Sequence, residues 1–202
     1  DSPCGVSCED FSFLEMTNFV LSIIKKLKSM TINNFNLQPD FLENEISKLI
    51  PLEEKHFEVL FEAASDPLIW EQNPVKNRHE REAFKTFFDI IISKSPFLIL
   101  DNQTNEIMGT TSFYDYNPEK SNVGIGYTFI TRKYWGGPYN KSNKKLMIDY
   151  AFQHVNSVLF HVGSENFRSQ KAVLKLGAEK INDILFKVNG VDTPYFEYEL
   201  KK

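Results

Sequence analysis

From residue 42 onward the apolar positions come in blocks whose period switches between that of a strand and that of a helix. Residues 42–52 read as an extended segment. Residues 53–65 carry Phe57, Leu60, Phe61 and Ala64 at helical spacing, and Asp66-Pro67 stops that helix because a residue before proline is driven out of the helical region. After a polar loop, residues 80–94 form a second helix with Phe84, Phe87, Phe88 and Ile91 on its inner face. Strands over 97–100, 107–116 and 123–130 follow, joined by the turn-rich DNQTNE and NPEKSN, and connections this short predict an antiparallel meander. A helix over about 140–155, a strand over 158–162, a helix over 166–176 closed by Gly177, and two strands around VNGVDT complete the chain. This order predicts an α/β (α+β) fold: a mixed sheet with helices on both faces, and a ligand site at the strand–helix–strand unit after residue 123.

The first thirty residues follow a different pattern. TNFVLSIIKKLKSM puts Phe19, Val20, Ile23, Ile24 and Leu27 on one helical face, with Lys25, Lys26 and Lys28 near its end. We expect residues 1–36 to be an N-terminal extension with a helical segment, and 37–202 to be the main domain. The extension packs on that domain or on a second subunit, or lies upstream of a start at Met30. A membrane anchor usually needs a larger charged face, and a secretory signal carries its positive charges before the apolar run. The longest apolar run, FVLSII, is far short of the roughly 20 residues of a membrane span, so a soluble, cytoplasmic protein is expected. Cys4 and Cys8 are the only cysteines, which fits a reducing compartment; with no histidine nearby they make a poor metal site, and no metal is expected.

Composition narrows the function. A chain of 202 residues with 42% hydrophobic content can bury one substantial core. A formal charge of -4 argues against a general nucleic-acid binder. Against that acidic background the stretch TRKYWGGPYNKSNKKLMIDYAF is basic, with Arg132, Lys133, Lys141, Lys144 and Lys145. Gly136-Gly137-Pro138 cannot lie within the helix that follows, so these residues shape the approach to its first turn. The unpaired N–H groups and partial positive charge of a first turn attract phosphate. A solvated basic helix face is the plainer reading of the same lysines. Neither G-x-x-x-x-G-K-[ST] nor G-x-G-x-x-G with a following acidic strand end is present, which counts against nucleotide hydrolysis and dinucleotide redox chemistry.

Taken together, VGIGYTFITRKYWGGPYNKSNKKLMIDYAF and the later VLFHVGSENFRSQKAVLKLGA resemble the GCN5-related N-acetyltransferases (GNAT), in the branch that includes the ribosomal-protein N-terminal alanine acetyltransferases. The resemblance spans residues 42–200 and is strongest over 123–178. In that branch a tryptophan-glycine loop ending in asparagine opens the helix that binds the cofactor pyrophosphate, matched here by Trp135 to Asn140. An N-x-x-S helix opening is matched by Asn166 and Ser169. The resemblance implies a GNAT-like, mostly antiparallel central sheet. It implies acetyl-CoA between the strands at 123–130 and 158–162, its pyrophosphate on the N–H groups of Gly136, Gly137, Tyr139 and Asn140. Arg132, Trp135 and Lys141 would surround it, and the pantetheine would pair with the backbone of Phe129, Ile130 and Thr131. Asn166 would face the pantetheine or the acceptor, and Ser169 the leaving sulfur as proton donor. A primary amine, on a protein N-terminus or a small molecule, would attack the thioester directly, its oxyanion held by a backbone N–H of the 123–130 strand.

Two departures from the family pattern stand out. Pro138 removes one N–H from the phosphate loop. Many relatives begin the 123–130 strand with a glutamate base, where this chain has Gly124; Gly124 and Gly126 share one strand face and leave room there. Glu165, Tyr116, Tyr127 or bulk water could replace that base. Each residue also has a plainer role: Asn166 as N-cap, Ser169 as a first-turn residue, Trp135 and Tyr139 as packing, His154 and His161 as structural, His56 and His79 as surface groups. The expected partners are acetyl-CoA and an amine acceptor, with no nucleic acid or membrane, in a monomer or homodimer. The alternatives are a GNAT-fold module that binds CoA without catalysis, and a protein-interaction domain. Acceptor choice would rest on the loops at 66–79 and 116–122 and on the final hairpin.

Overall fold

The structure, a computed structural model, describes residues 17–21 and 35–202. The chain divides into two units, Asp1–Asn34 and Phe35–Lys202. In the first, residues 17–21 are helical and exposed; the rest of the amphipathic segment with its lysines, and Cys4 and Cys8, lie outside the described residues. Among the described residues no helix is long and apolar enough to cross a membrane.

The second unit is built on eight strands: β1 (Leu42–Glu43), β2 (Ser47–Pro51), β3 (Ser95–Asp101), β4 (Ile107–Asn117), β5 (Asn122–Ile130), β6 (Ser157–Gly163), β7 (Glu179–Val188) and β8 (Val191–Lys201). They form one sheet in the order β1-β2-β3-β4-β5-β6-β8-β7, antiparallel throughout except between β5 and β6. Four helices cover it: α1 (Phe57–Ala64), α2 (Arg81–Ile92), α3 (Tyr139–Ala151) and α4 (Phe167–Leu174). On β3 the alternation of side chains divides the core in two. Phe97 and Ile99 join Phe113, Val123, Val158, Phe160, Met147 and Val173 beneath α3 and α4. Leu98 faces the other way, with Phe129 and Trp70, under Leu60, Phe84, Phe87, Phe88 and Ile91 of α1 and α2. Phe35 closes the edge of the first layer, its ring 5.5 Å from Phe113 and 4.7 Å from His154.

The predicted elements are present, with local differences. The segment at 42–52 is split in two because Asn44 Oδ1 accepts the N–H groups of Ile46 and Ser47, both at 2.9 Å, and turns the chain back on itself. Glu53 and His56 form a reciprocal capping box that opens a 3-10 turn, so the regular helix starts only at Phe57. The helix expected to reach residue 155 ends at Ala151, since Asn156 N–H already bonds Ser121 O at 2.8 Å to start β6.

Candidate active site

The two halves of the sheet are joined at β5 and β6 by three residue pairs, Asn122↔Ser157, Val123↔Val158 and Gly124↔Leu159. Beyond Gly124 each strand follows its outer neighbour, β5 with β4 as far as Ile130 and β6 with β8 as far as Gly163, so a wedge opens between them. A β-bulge drives the separation: between Thr110↔Phe129 and Ser112↔Gly126, β5 carries one residue more than β4, and Tyr127 sits at φ +51°. Gly109 lies opposite, at φ +147°, where a Cβ would stand 2.1 Å from Phe129 O. The inner edge of Thr128 to Ile130 thus has no partner strand among the described residues.

At the open end of the wedge a 3-10 turn (Arg132–Tyr134) leads to Trp135, whose indole N–H donates to Ile130 O at 2.8 Å. Gly136 has φ +75° and open space where a Cβ would be, while a Cβ on Gly137 would meet the Tyr139 ring at 3.1 Å. Pro138 stands at the N-cap of α3, and among the described residues no side chain caps that helix, so the first-turn N–H groups of Tyr139, Asn140 and Lys141 point outward uncapped. Tyr139 packs edge-on against Tyr134, ring centroids 4.7 Å apart, and Tyr134 donates to Glu106 at 2.8 Å, which fixes the loop to the sheet. The expected concentration of positive charge is largely neutralised. Arg132 pairs with Asp66, Lys133 with Glu106, and Lys145 with Asp149. Lys144 is buried: its ammonium donates to Thr128 Oγ1 at 2.9 Å and lies 5.6 Å over the Phe160 ring, spanning β5 and β6 beneath the wedge. Burial lowers its pKa to about 7.

The β6 side of the wedge is finished by α4. Asn166 is its N-cap, Oδ1 accepting the Ser169 N–H at 3.1 Å; Ser169 is half-buried, and Glu165 is exposed in the turn before the cap. Arg168, which the sequence did not single out, ties the two sides together. Its guanidinium lies 4.0 Å over the Trp135 ring, donates to Glu71 at 2.9 Å and to Ile69 O at 3.2 Å, while its backbone N–H bonds Gln72 at 3.0 Å.

The apex of the wedge holds a hydrogen-bonded chain. From β4 the Tyr114 side chain crosses β5 over Gly124 and Gly126, where added Cβ atoms would stand 2.5 and 2.8 Å from its ring. Its hydroxyl reaches His161 Nδ1 on β6 at 2.8 Å, and His161 Nε2 lies 3.1 Å from Glu197 Oε1 on β8. With Nε2–H donated to the Glu197 carboxylate, the Nδ1 lone pair is left for the Tyr114 hydroxyl. Burial drives the Tyr114 pKa well above the usual phenol range. His161 therefore has partners that the sequence did not reveal, and Gly124 and Gly126 have a definite role as the floor for a tyrosine ring. Tyr127 stands edge-on to Tyr114 at 5.3 Å. The surface depression of about 510 Å³ lined by Lys120, Asn156, Ser157, Glu199, Lys201 and Lys202 lies at the closed end of β6, away from all these groups.

This topology and wedge can be set against known proteins. A family model for the GNAT acetyltransferase domain matches residues 48–179, about two thirds of the chain. The chain belongs to the GNAT acetyltransferase family. Its solved structural neighbours include a protein assigned as an acetyltransferase from T. thermophilus, 25% identical, with a TM-score of 0.68 over 81% of this chain and 90% of that one. Another is a protein assigned as a ribosomal-protein-serine acetyltransferase from Vibrio cholerae (17% identity, TM-score 0.64, 82% and 99% covered). A third is a spermidine N-acetyltransferase chimera from Vibrio cholerae and hSSAT (15%, 0.58, 77% and 95%). No curated protein sequence matches the chain significantly.

Within this GNAT fold the residues singled out in the sequence fall into two groups. Phe129, Ile130, Thr131, Arg132, Trp135, Gly136, Gly137, Tyr139, Asn140 and Lys141 line the β5 side of the wedge and its open end, and Asn166 and Ser169 the start of α4. The Arg168–Trp135 contact brings the two groups together. An uncapped helix turn beside a glycine with open space, continued by an unpaired strand edge, fits a diphosphate followed by an extended arm with amide groups.

Proposed function

We propose that this GNAT protein transfers the acetyl group of acetyl-CoA to a primary amine by direct attack. The observation that carries this reading is the wedge itself, with uncapped backbone N–H groups at its mouth and a Tyr–His–Glu chain at its apex. When bound, acetyl-CoA supplies an acetyl group activated as a thioester. The N–H groups of Gly136, Gly137, Tyr139 and Asn140 hold the diphosphate, with Arg132, Lys141 and Trp135 around it. The backbone of Phe129 to Thr131 pairs with the pantetheine amides, the Trp135 indole giving up or sharing Ile130 O. An N–H of β5 beside the bulge stabilises the developing oxyanion, and the Ser169 hydroxyl donates a proton to the departing sulfur as it takes one from solvent.

Tyr114, His161 and Glu197 take the place of the missing glutamate. As the Tyr114 oxygen accepts the proton of the attacking amine, the hydroxyl proton passes to His161 Nδ1, and Glu197 stabilises the imidazolium. Tyr114 is a poor acid, so it carries the proton onward without persisting as phenolate. Glu165 is exposed and contributes nothing to this chain.

The amine belongs to a protein N-terminus or to a small molecule; structural neighbours are assigned to both kinds of acceptor. Calorimetric titration with acetyl-CoA tests the cofactor site: the wild type is expected to bind, and the double variant Gly136→Asp, Gly137→Asp to lose binding. A folded wild type that fails to bind would overturn the reading. Binding without release of CoA thiol on any amine would favour a second reading, a module that holds CoA without turnover, for which Gly124 in place of an acid is the supporting observation.

A further inference from the structure

Arg78 has no part in the mechanism above, and its surroundings leave its charge unbalanced. The chain has four arginines. Arg81, Arg132 and Arg168 each pair with a carboxylate, of Glu58, Asp66 and Glu71 respectively. Arg78 pairs with none among the described residues. Its guanidinium instead lies 4.4 Å over the Phe87 ring and 5.5 Å over Trp70. The ionisable side chains that act on it are the phenols of Tyr127 and Tyr195. Burial lowers its pKa to about 10, a cost that a carboxylate partner would have offset. Stacking on two rings fixes the plane of the guanidinium but leaves its N–H fork without an acceptor among the described residues.

The position of this charge matters more than its isolation. Tyr127, one of its neighbours, is the bulge residue of β5, and its ring stands 5.3 Å from Tyr114 at the head of the proton chain. Tyr195 packs on Phe186 at 5.1 Å, and Phe186 on His161 at 5.3 Å. An aromatic wall therefore runs from Arg78 past both tyrosines to the base, on the face of the sheet that carries α1 and α2 and opposite Lys144. Arg78 thus stands at the far end of a wall that begins at Tyr114, where the attacking amine would lie.

We propose that the acceptor amine carries a carboxylate that pairs with Arg78, either on the same small molecule, as in a free amino acid, or on the first residues of an acidic peptide. The planar fork of arginine takes a carboxylate through two parallel hydrogen bonds, and the Tyr127 and Tyr195 hydroxyls are further donors to the same oxygens. This inference rests on the acetyl-transfer reading and adds a substrate class to it.

The test uses pairs of acceptors that differ only in the carboxylate: glycine against glycinamide, and a peptide beginning Ser-Asp against one beginning Ser-Asn, with phosphoethanolamine and spermidine as further arms. The expected result is kcat/KM at least about tenfold higher for the carboxylate member of a pair. Arg78→Gln should reduce that preference to within about threefold, through KM, and Arg78→Lys should restore part of it. Acetyl-CoA affinity should stay at the wild-type value in both variants. The same comparison is made without turnover by binding of N-acetylglycine against N-acetylglycinamide to the CoA-loaded wild type. Equal rates or equal binding within the wild-type pairs would overturn the proposal, as would a preference that survives Arg78→Gln or a preference for phosphoethanolamine or spermidine. Loss of acetyl-CoA binding itself would overturn the acetyl-transfer reading instead.

Discussion

Lys144 shows how a single side chain can set the response of the fold to pH. Its pKa is about 7 in the folded chain, against about 10.4 for a free lysine, because burial beneath the wedge penalises the ammonium. Between those values the unfolded chain binds the proton and the folded chain does not, so stability due to this group rises with pH from about 7 to about 10. Below pH 7 the full penalty applies, with an upper bound of roughly 5 kcal/mol. Lys144→Met should stabilise the protein by about 1–3 kcal/mol at pH 7. The melting temperature of wild type relative to variant should climb between pH 7 and 9.5, and parallel curves would refute this account. At the apex of the wedge, His161→Gln and Tyr114→Phe should each lower kcat by about 10² or more while leaving acetyl-CoA affinity unchanged in calorimetry. Neither group could be recognised from the sequence. His161 lies 47 residues from Tyr114 and 36 from Glu197, and no local pattern marks pairs of that kind. The Asn166 cap, by contrast, was legible because a cap acts on a neighbour three residues away.

Strand β5 does most to shape the wedge, and its distortion left little trace in the sequence. The alternation of VGIGYTFI predicts the strand, and the glycine-glycine-proline turn predicts where the following helix starts, one residue from where it does. The bulge does not follow from either, since it is a mismatch with β4, and Tyr127 in a left-handed conformation looks like any other strand residue. Gly109 makes the mismatch possible. Gly109→Ala should cost roughly 3 kcal/mol or more in chemical denaturation, because a Cβ there meets Phe129 O at 2.1 Å in a backbone conformation that alanine disfavours. Gly124→Ala should act differently. Its Cβ would displace the Tyr114 ring and break the bond to His161, so kcat should fall while the cofactor loop still binds.

For the molecule as a whole, element order was the most legible property and charge the least. The alternation of helical and strand periods specified a mixed sheet with helices on both faces, and the structure has one. The basic stretch, read as an anionic-ligand patch, turned out to be mostly paired with carboxylates that come from Asp66 and Glu106, far away in the chain. In the proposed function, anion recognition therefore falls to the uncapped backbone N–H groups at the mouth of the wedge. A hundredfold excess of acetyl-CoA over its dissociation constant should stabilise the fold by about 2.7 kcal/mol, raising the melting temperature by several degrees. The variant with aspartate at 136 and 137 should show no such rise. The contact between Arg168 and Trp135 has an optical consequence. Of the two tryptophans, Trp70 is 2% exposed and bonded to Ala64 O, whereas Trp135 is 36% exposed beside the glycine loop. Quenching by acrylamide therefore reports chiefly on Trp135, and the protein's own fluorescence becomes a label-free gauge of whether the mouth of the wedge is filled.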